Sequence, residues 1–269
     1  MVMLGVFGLL MLIFAAALDT GLTVRRYLVA TDKLTQPVRL AVLSDLHSCD
    51  YGEGQKDLLT AVKELEPDAV LFTGDIVDDR LPEENAFLVL SALGKQYPCF
   101  YVTGNHEYRS GRAEALKQKI SDLGITVLDG EWLVVTLQDQ LIVVCGVDDP
   151  ECGQAEEQLK QAGQGWPSEL FSVLLAHRPE RIEDYLAYDF DLILSGHAHG
   201  GQWRIPGLLN GLFAPNQGFF PPYAGGRYDF ESTAFLVSRG LARESTQVPR
   251  LFNPPEVVLV ELVPEGSAV

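Results

Sequence analysis

All five histidines of the chain, His47, His106, His177, His197 and His199, fall just past short apolar runs. Asp45-x-His47 and His197-x-His199 each offer two donors two residues apart, and an extended backbone would turn such a pair to one face. Asp75 follows Gly74 and Asn105 follows Gly104, where glycine lets the backbone turn sharply or approach a ligand closely. One histidine alone is more often a satisfied core or surface residue than a ligand; the grouping is what points to a metal. Carboxylate, imidazole and amide oxygen, without thiolate, suit first-row dications such as Mn, Fe, Zn, Co or Ni. Two such ions about 3.5–4 Å apart can clamp a phosphoryl group, acidify a bound water and offset charge on the attacking and leaving oxygens. The chemistry that fits is hydrolysis of a phosphate ester.

Short strands must carry these residues. Apolar runs at 38–43, 69–72 and 99–102 alternate with helical spacing in Leu58, Leu59, Val62 and Leu65, then at 83–93 and 112–123. The runs at 132–137 and 141–147 flank Gln138-Asp139-Gln140 and predict an antiparallel hairpin. Further strand-like runs follow at 172–176, 192–194, 234–237 and 257–262. This order predicts an α/β (α+β) fold of two sheets with helices outside them. Ser44-Asp45, Gly74-Asp75, Gly104-Asn105-His106, His177 and Gly196-His197 all stand at the carboxyl ends of strands, where open α/β sheets bind ligands.

The bulk numbers narrow the classes. A net charge of −17 over 269 residues argues against affinity built on neutralising a nucleic-acid backbone, so no nucleic-acid partner is expected. Cys49, Cys99, Cys145 and Cys152 show no metal-knot spacing and read as core thiols. Residues 1–18 carry no charged side chain and sit at the short end of the length that spans a bilayer. They predict a single-pass membrane anchor, with a cleaved signal segment as the alternative. Arg25, Arg26, Lys33 and Arg39 follow that run and favour a cytoplasmic catalytic domain over an exported one. Residues 19–37 read as a polar linker and 38–265 as one catalytic domain.

Asp45-x-His47, Gly74-Asp75, Gly104-Asn105-His106-Glu107, His177 and Gly196-His197-Ala198-His199 resemble, in order, the blocks of the calcineurin-like metallophosphoesterase superfamily. The resemblance implies a four-layer sandwich, two mixed β-sheets flanked by helices, here with an N-terminal hydrophobic helix added. It implies a dinuclear centre in which Asp45, His47 and His199 hold one metal and Asn105, His177 and His197 the other, bridged by Asp75. His106 would protonate the leaving oxygen, and Glu107 would orient it. Positioned acid catalysis of that kind is worth on the order of 10²–10⁴ in rate.

The run Gly74-Asp75-Ile76-Val77-Asp78-Asp79-Arg80 departs from the protein phosphatase version of the pattern, having Asp79 where that branch has arginine. Gly200-Gly201-Gln202, Ala214-Pro215-Asn216-Gln217-Gly218, Ser238-Arg239-Gly240-Leu241 and Phe252-Asn253-Pro254-Pro255-Glu256 look like the YkuE/YaeI-type bacterial phosphodiesterase branch. The implied activity is cleavage of a phosphodiester or pyrophosphate bond in a small or lipid-linked substrate. A phosphomonoesterase or protein phosphatase is one alternative, and a catalytically silent scaffold is another of a different class. The segment 208–223 holds Leu208, Leu209, Leu212, Phe213, Phe219, Phe220 and Tyr223 without a helix or strand period; it reads as a packed connection or as an apolar lip beside the metals. Arg239 and Arg250 are left outside the expected site.

Overall fold

The computed structural model describes residues 17–246 and 248–266. Two six-stranded mixed sheets form its centre. The first runs β1 (Thr23–Thr31), β14 (Glu256–Pro264), β2 (Val38–Leu43), β3 (Ala69–Thr73), β4 (Cys99–Val102), β5 (Thr126–Val127). The second runs β12 (Gly226–Phe230), β13 (Thr233–Val237), β9 (Leu192–Ser195), β8 (Phe171–Ala176), β7 (Gln140–Val147), β6 (Trp132–Leu137). β2, β3, β4 and β5 are parallel neighbours, as are β7, β8, β9 and β13, while β14 against β2, β6 against β7 and β12 against β13 are antiparallel. The hairpin expected at 132–147 is the β6–β7 pair.

Side-chain parity explains why these strands are apolar on both faces. Leu40 and Val42 of β2 and Leu71 of β3 enter the layer between the sheets, where they meet Ile142 and Val144 of β7 and Val173 and Leu175 of β8. Their alternates Ala41, Leu43, Val70 and Phe72 face outward onto α1 (Lys56–Glu64), α2 (Glu84–Gly94) and α4 (Ala113–Ser121). Val143 and Cys145 of β7 and Leu174 of β8 likewise point out under α5 (Ala155–Ala162) and α6 (Ile182–Tyr185). A strand covered on both sides loses polar alternation and reads as a continuous aliphatic run. Each fully buried Leu or Val contributes roughly 1.5–3 kcal/mol, so both faces of each central strand anchor the rim they end on.

Two expectations change, and a third lies outside the described residues. The stretch 19–37, read as a linker, contains β1, paired residue for residue with β14 from Thr23 opposite Glu256 to Thr31 opposite Pro264. β1 is an edge strand with a largely exposed face, so it carries little hydrophobic period, and the ladder holds it in place. The segment 208–223 has some strand: β10 (Phe213–Ala214) and β11 (Gly218–Phe219) form a small antiparallel ribbon. The N-terminal anchor falls on residues outside those described, apart from its last two; among the described residues no helix is long and apolar enough to cross a membrane. Cys49, Cys99 and Cys145 are buried free thiols, as expected, and Cys152 is half-buried.

Candidate metal centre

The strand ends are laced together before any side chain acts. The loop after β2 lies along the loop after β3, with Asp45 N donating to Gly74 O at 3.0 Å, His47 N to Asp75 O at 2.9 Å and Ser48 N to Ile76 O at 3.0 Å. Between the loops after β8 and β9, Gly196 N donates to His177 O at 3.1 Å. His197 N closes the ring by donating to the Asp45 carboxylate at 2.9 and 3.1 Å. In this lattice the backbone is not extended at the paired donors. Asp45, His47, Asp75, His197 and His199 all have positive φ, at 51°, 48°, 53°, 64° and 47°. That is a correction to the alternation expected for Asp45-x-His47 and His197-x-His199. Left-handed backbone at a residue other than glycine costs of order 1–3 kcal/mol and persists where the surroundings impose it.

Among the described residues the side chains then form three groups of possible donors; two of them meet at Asp75, and the third, His47, Asp78 and His106, adjoins the first through His47. Oxygen and nitrogen atoms of Asp45, His47 and His199 lie within 4.8 Å of one another, and so do those of Asp75, His177 and His197. Asp75 Oδ2 is 3.1 Å from His177 Nε2 and 3.7 Å from His47 Nε2, which places one carboxylate between both sets. Asp45 Oδ1 is 3.6 Å from His199 Nε2. The Asn105 carboxamide brings its oxygen to 2.9 Å from His197 Nδ1; a shared cation, a half-turn of the amide, or a proton on Nδ1 with Nε2 accepting from Arg178 Nη1 at 3.2 Å satisfies both.

Each of three imidazoles is held from behind. His177 Nδ1 meets Thr73 O at 2.7 Å, His47 Nδ1 meets Asp78 Oδ2 at 3.0 Å, and His197 Nε2 meets Asn216 Oδ1 at 2.9 Å. Tying one ring nitrogen to an acceptor fixes the tautomer and leaves the other as a ligand atom. The inward atoms His47 Nε2 and His177 Nε2, and His199 Nδ1, are buried without a hydrogen-bond partner among the described residues. An unpaired buried polar atom costs about 1–3 kcal/mol, and a dication would remove that cost at His47 Nε2 and His177 Nε2, which both approach Asp75. Buried oxygen and nitrogen donors, a shared carboxylate and oriented rings together fit two divalent ions.

Charge is distributed unevenly. Burial raises the Asp45 carboxyl, and the nearby charge of Asp75 adds to it. Asp75 goes the other way, because the neighbouring His177, His47 and His106 outweigh its burial. Burial drives His197 and His199 well down, to neutral rings. It also opposes charge on His177, yet the carboxylates of Asp75 and Asp45 prevail and push its pKa up to about 10.

His106 borders the adjoining cleft and, with His47 and Asp78, forms the third group of possible donors. Its ring is 4.4 Å from that of His47, centroid to centroid, and its Nδ1 lies 2.6 Å from Asp79 Oδ1 and 3.4 Å from Asp78 Oδ2. Burial would discharge this ring, but Asp78, Asp75 and Asp79 raise it to about 9, so it carries a proton at neutral pH. Glu107, expected to orient His106, spends its oxygens on backbone donors instead: Gly104 N at 2.7 Å, Asp75 N at 3.0 Å and Val77 N at 2.9 Å. Tyr101 Oη adds a fourth bond at 2.7 Å. Glu107 thereby caps α3 (Asn105–Arg109) and fastens it to the Asp75 loop.

The sequence reading missed Asp78, Asp79, Arg178 and Asn216. Arg178 reaches Asp149 with Nε at 2.5 Å and Asn216 with Nη1 at 2.7 Å. Asn216 is carried to the site by the β10–β11 ribbon. Asp78 and Asp79 were visible as acids in the same run as Asp75, and Arg178 as the neighbour of His177; what each touches is set by loops meeting in space. Arg239 forms an ion pair with Glu256 and Arg250 is buried, its pKa brought down to about 10.

Beside His106 and His199 opens a cleft of about 890 Å³, walled by Trp203, Leu212, Phe213 and Val248 and bordered by Asp79, Arg80 and Arg109. Phe219 packs edge-on against Phe213 of the wall, ring centroids 5.3 Å apart, and Phe220 N donates to Leu212 O at 2.8 Å; the two phenylalanines are 70% and 67% exposed.

A family model described as calcineurin-like phosphoesterase matches residues 38–201. The chain is 30% identical over 233 residues to "Phosphodiesterase YaeI" of Escherichia coli, covering 84% of this chain and 83% of that protein. It is 29% identical over 231 residues to "Uncharacterized metallophosphoesterase YkuE" of Bacillus subtilis, covering 83% and 78% respectively. Among solved structures, the phosphopantetheinyl hydrolase PptH of Mycobacterium tuberculosis superposes with a TM-score of 0.51 at 12% identity, covering 88% of this chain and 99% of that one; this is a likeness of fold.

Proposed function

Because the chain belongs to the calcineurin-like phosphoesterase family and is a phosphoric ester hydrolase, we propose that it cleaves a phosphodiester or pyrophosphate bond with the help of two divalent ions. The observation that carries this reading is one carboxylate, Asp75, set between two donor groups with an imidazole, His106, held by Asp79 at the mouth of the adjoining cleft. Asp45, His47 and His199 would hold one ion, and Asn105, His177 and His197 the other, with Asp75 shared. Bound there, the ions supply positive charge that polarises a phosphoryl oxygen and acidifies water. The residues of the chain do the rest. The cleft seats the ester against its apolar wall, and His106 gives its proton to the leaving oxygen, an alkoxide that departs poorly without one. Asp79 and Asp78 keep that proton on the ring.

Turnover of bis-p-nitrophenyl phosphate by purified protein stripped of metal and reloaded with Mn²⁺, Fe²⁺, Zn²⁺, Co²⁺ or Ni²⁺ tests the proposal. A metal-dependent rate is expected. Inactivity with every ion, despite measured binding, would favour a silent scaffold instead.

The substrate's apolar part is read from the cleft. Trp203, Phe213 and Val248 on its wall and Phe219 and Phe220 beside it are exposed, an apolar patch of the kind that contacts lipid or ligand. Ala17, where the described chain begins after an uncharged run, accepts a hydrogen bond from Phe252 N at 2.7 Å, and the adjoining Leu251 bridges to Trp203 on the cleft wall. A lipid-linked phosphate ester, worked on by an enzyme anchored through residues 1–18 at the cytoplasmic face, accounts for both. Replacing Phe219 and Phe220 with Ser should raise KM for a lipid-linked ester and spare the chromogenic one; equal changes on both would remove the lipid reading. Protease digestion of the domain from outside intact spheroplasts would remove the cytoplasmic placement.

A further inference from the structure

Two adjacent acids divide their work at the mouth of the site. Asp78 Oδ2 sits 3.0 Å from His47 Nδ1, holding a metal-donor ring, whereas Asp79 Oδ1 sits 2.6 Å from His106 Nδ1. Asp79 keeps 16% of its side chain exposed and lines the cleft where substrate must lie. Its second oxygen has Arg80 Nε at 3.8 Å, on a side chain that is 76% exposed and free to follow solvent. The other charged groups along this wall are Asp78, Arg109 and Glu244. Arg109 is bound to Glu151 at 2.6 Å, and Glu244 to Asp50 N at 2.6 Å. Apart from the ions the two donor groups would hold, the fixed side-chain charge nearest to the His106 ring is therefore negative.

We propose that Asp79 is the positioning residue for His106 and that its fixed carboxylate makes the cleft favour singly charged phosphodiesters over doubly charged phosphomonoesters. This rests on the phosphoesterase reading above and adds the charge class of its substrate. With Nδ1 bonded to Asp79, the ring must present Nε2 to the leaving oxygen. A monoester has a second ionisation near pKa 6 and is mostly a dianion at neutral pH, while a diester stays a monoanion. Repulsion from a carboxylate scales with that charge and grows where the wall excludes water.

The test uses the full chain, metal-loaded, as Asp79→Asn and Asp79→Glu beside the parent. For Asp79→Asn, kcat on glycerophosphocholine, whose alkoxide needs a proton, should fall about tenfold or more. The loss should be far smaller on bis-p-nitrophenyl phosphate, whose leaving nitrophenolate does not need one. The ratio of kcat/KM for p-nitrophenyl phosphate to that for the bis-ester should rise about tenfold, and Asp79→Glu should hold the parent ratio. By calorimetry, inorganic phosphate should bind the Asn variant more tightly, with dimethyl phosphate little changed. Equal losses on both diesters would overturn the positioning role, and an unchanged ratio with unchanged phosphate affinity would overturn the charge role. If the parent hydrolyses none of these esters, the phosphoesterase reading fails by itself, and the two binding measurements still decide what Asp79's charge does.

Discussion

Glu107 and His106 are neighbours with separate tasks, and substitution should separate them. His106→Ala removes the expected proton donor and leaves both groups that meet at Asp75 complete, so turnover of an alkyl diester should drop on the order of 10²–10⁴ while most metal stays. Asp75→Ala takes away the carboxylate shared by His47 and His177 and should lose metal as well; equal metal loss in both variants, measured by elemental analysis, would refute the division. Glu107→Gln turns an amide donor toward a site that now satisfies Gly104 N, Asp75 N and Val77 N. Hydrogen bonds to a charged acceptor are worth about 1.5–3 kcal/mol each, so at least one such loss should appear in denaturant unfolding. Metal affinity should weaken roughly 10–100-fold as the Asp75 loop loosens. A Gln variant as stable as its parent would show that the carboxylate does not organise these loops.

At the level of elements, the site depends on how closely strand-end loops approach. Gly104 ends the loop after β4 with φ −110°, a conformation any residue can adopt. Its constraint is spatial: a Cβ there would stand 2.2 Å from Asp75 Oδ1. Gly74 is doubly constrained, with φ +90° and a Cβ position 2.7 Å from His177 Nδ1. Gly104→Ala should therefore leave the fold intact by circular dichroism yet push Asp75 off its bridging position, weakening metal binding at least about tenfold. Retained metal at parent affinity would mean the loops have slack that their hydrogen bonding does not suggest. The β10–β11 ribbon shows the same economy, since one short element supplies Asn216 to His197 and Phe219 to the outer rim.

For the whole molecule, folding and metal binding should be coupled. The two sheets bury their inner faces in one layer, and the rim above it stores strained backbone and unpaired imidazole nitrogens. A ligand that binds only the folded chain stabilises it by about 2.7 kcal/mol at a hundredfold excess over its Kd. For a domain of this size roughly each kcal/mol is worth 2–4 °C. Chelation should lower Tm by several degrees, metal should restore it, and His177→Ala should blunt the response. A Tm indifferent to chelator and metal would contradict two-ion binding by the folded protein.

Much of this was legible along the chain. Central strands covered on both faces leave long aliphatic runs, so β2, β3, β4, β8 and β9 could be read from sequence, and the residues just past them marked one rim. Edge strands obey no such rule: β1 has a largely exposed face, and its pairing with β14 joins residues more than two hundred positions apart. The residue types at the rim fixed the chemistry, because carboxylates, imidazoles and an amide at strand ends have few other uses in concert. Which acid holds which ring was decided only in three dimensions. Asp78 on His47, Asp79 on His106 and Glu107 on backbone are assignments of hydrogen-bond length, and contacts that short depend on loop approach and left-handed backbone, neither of which leaves a period in the sequence.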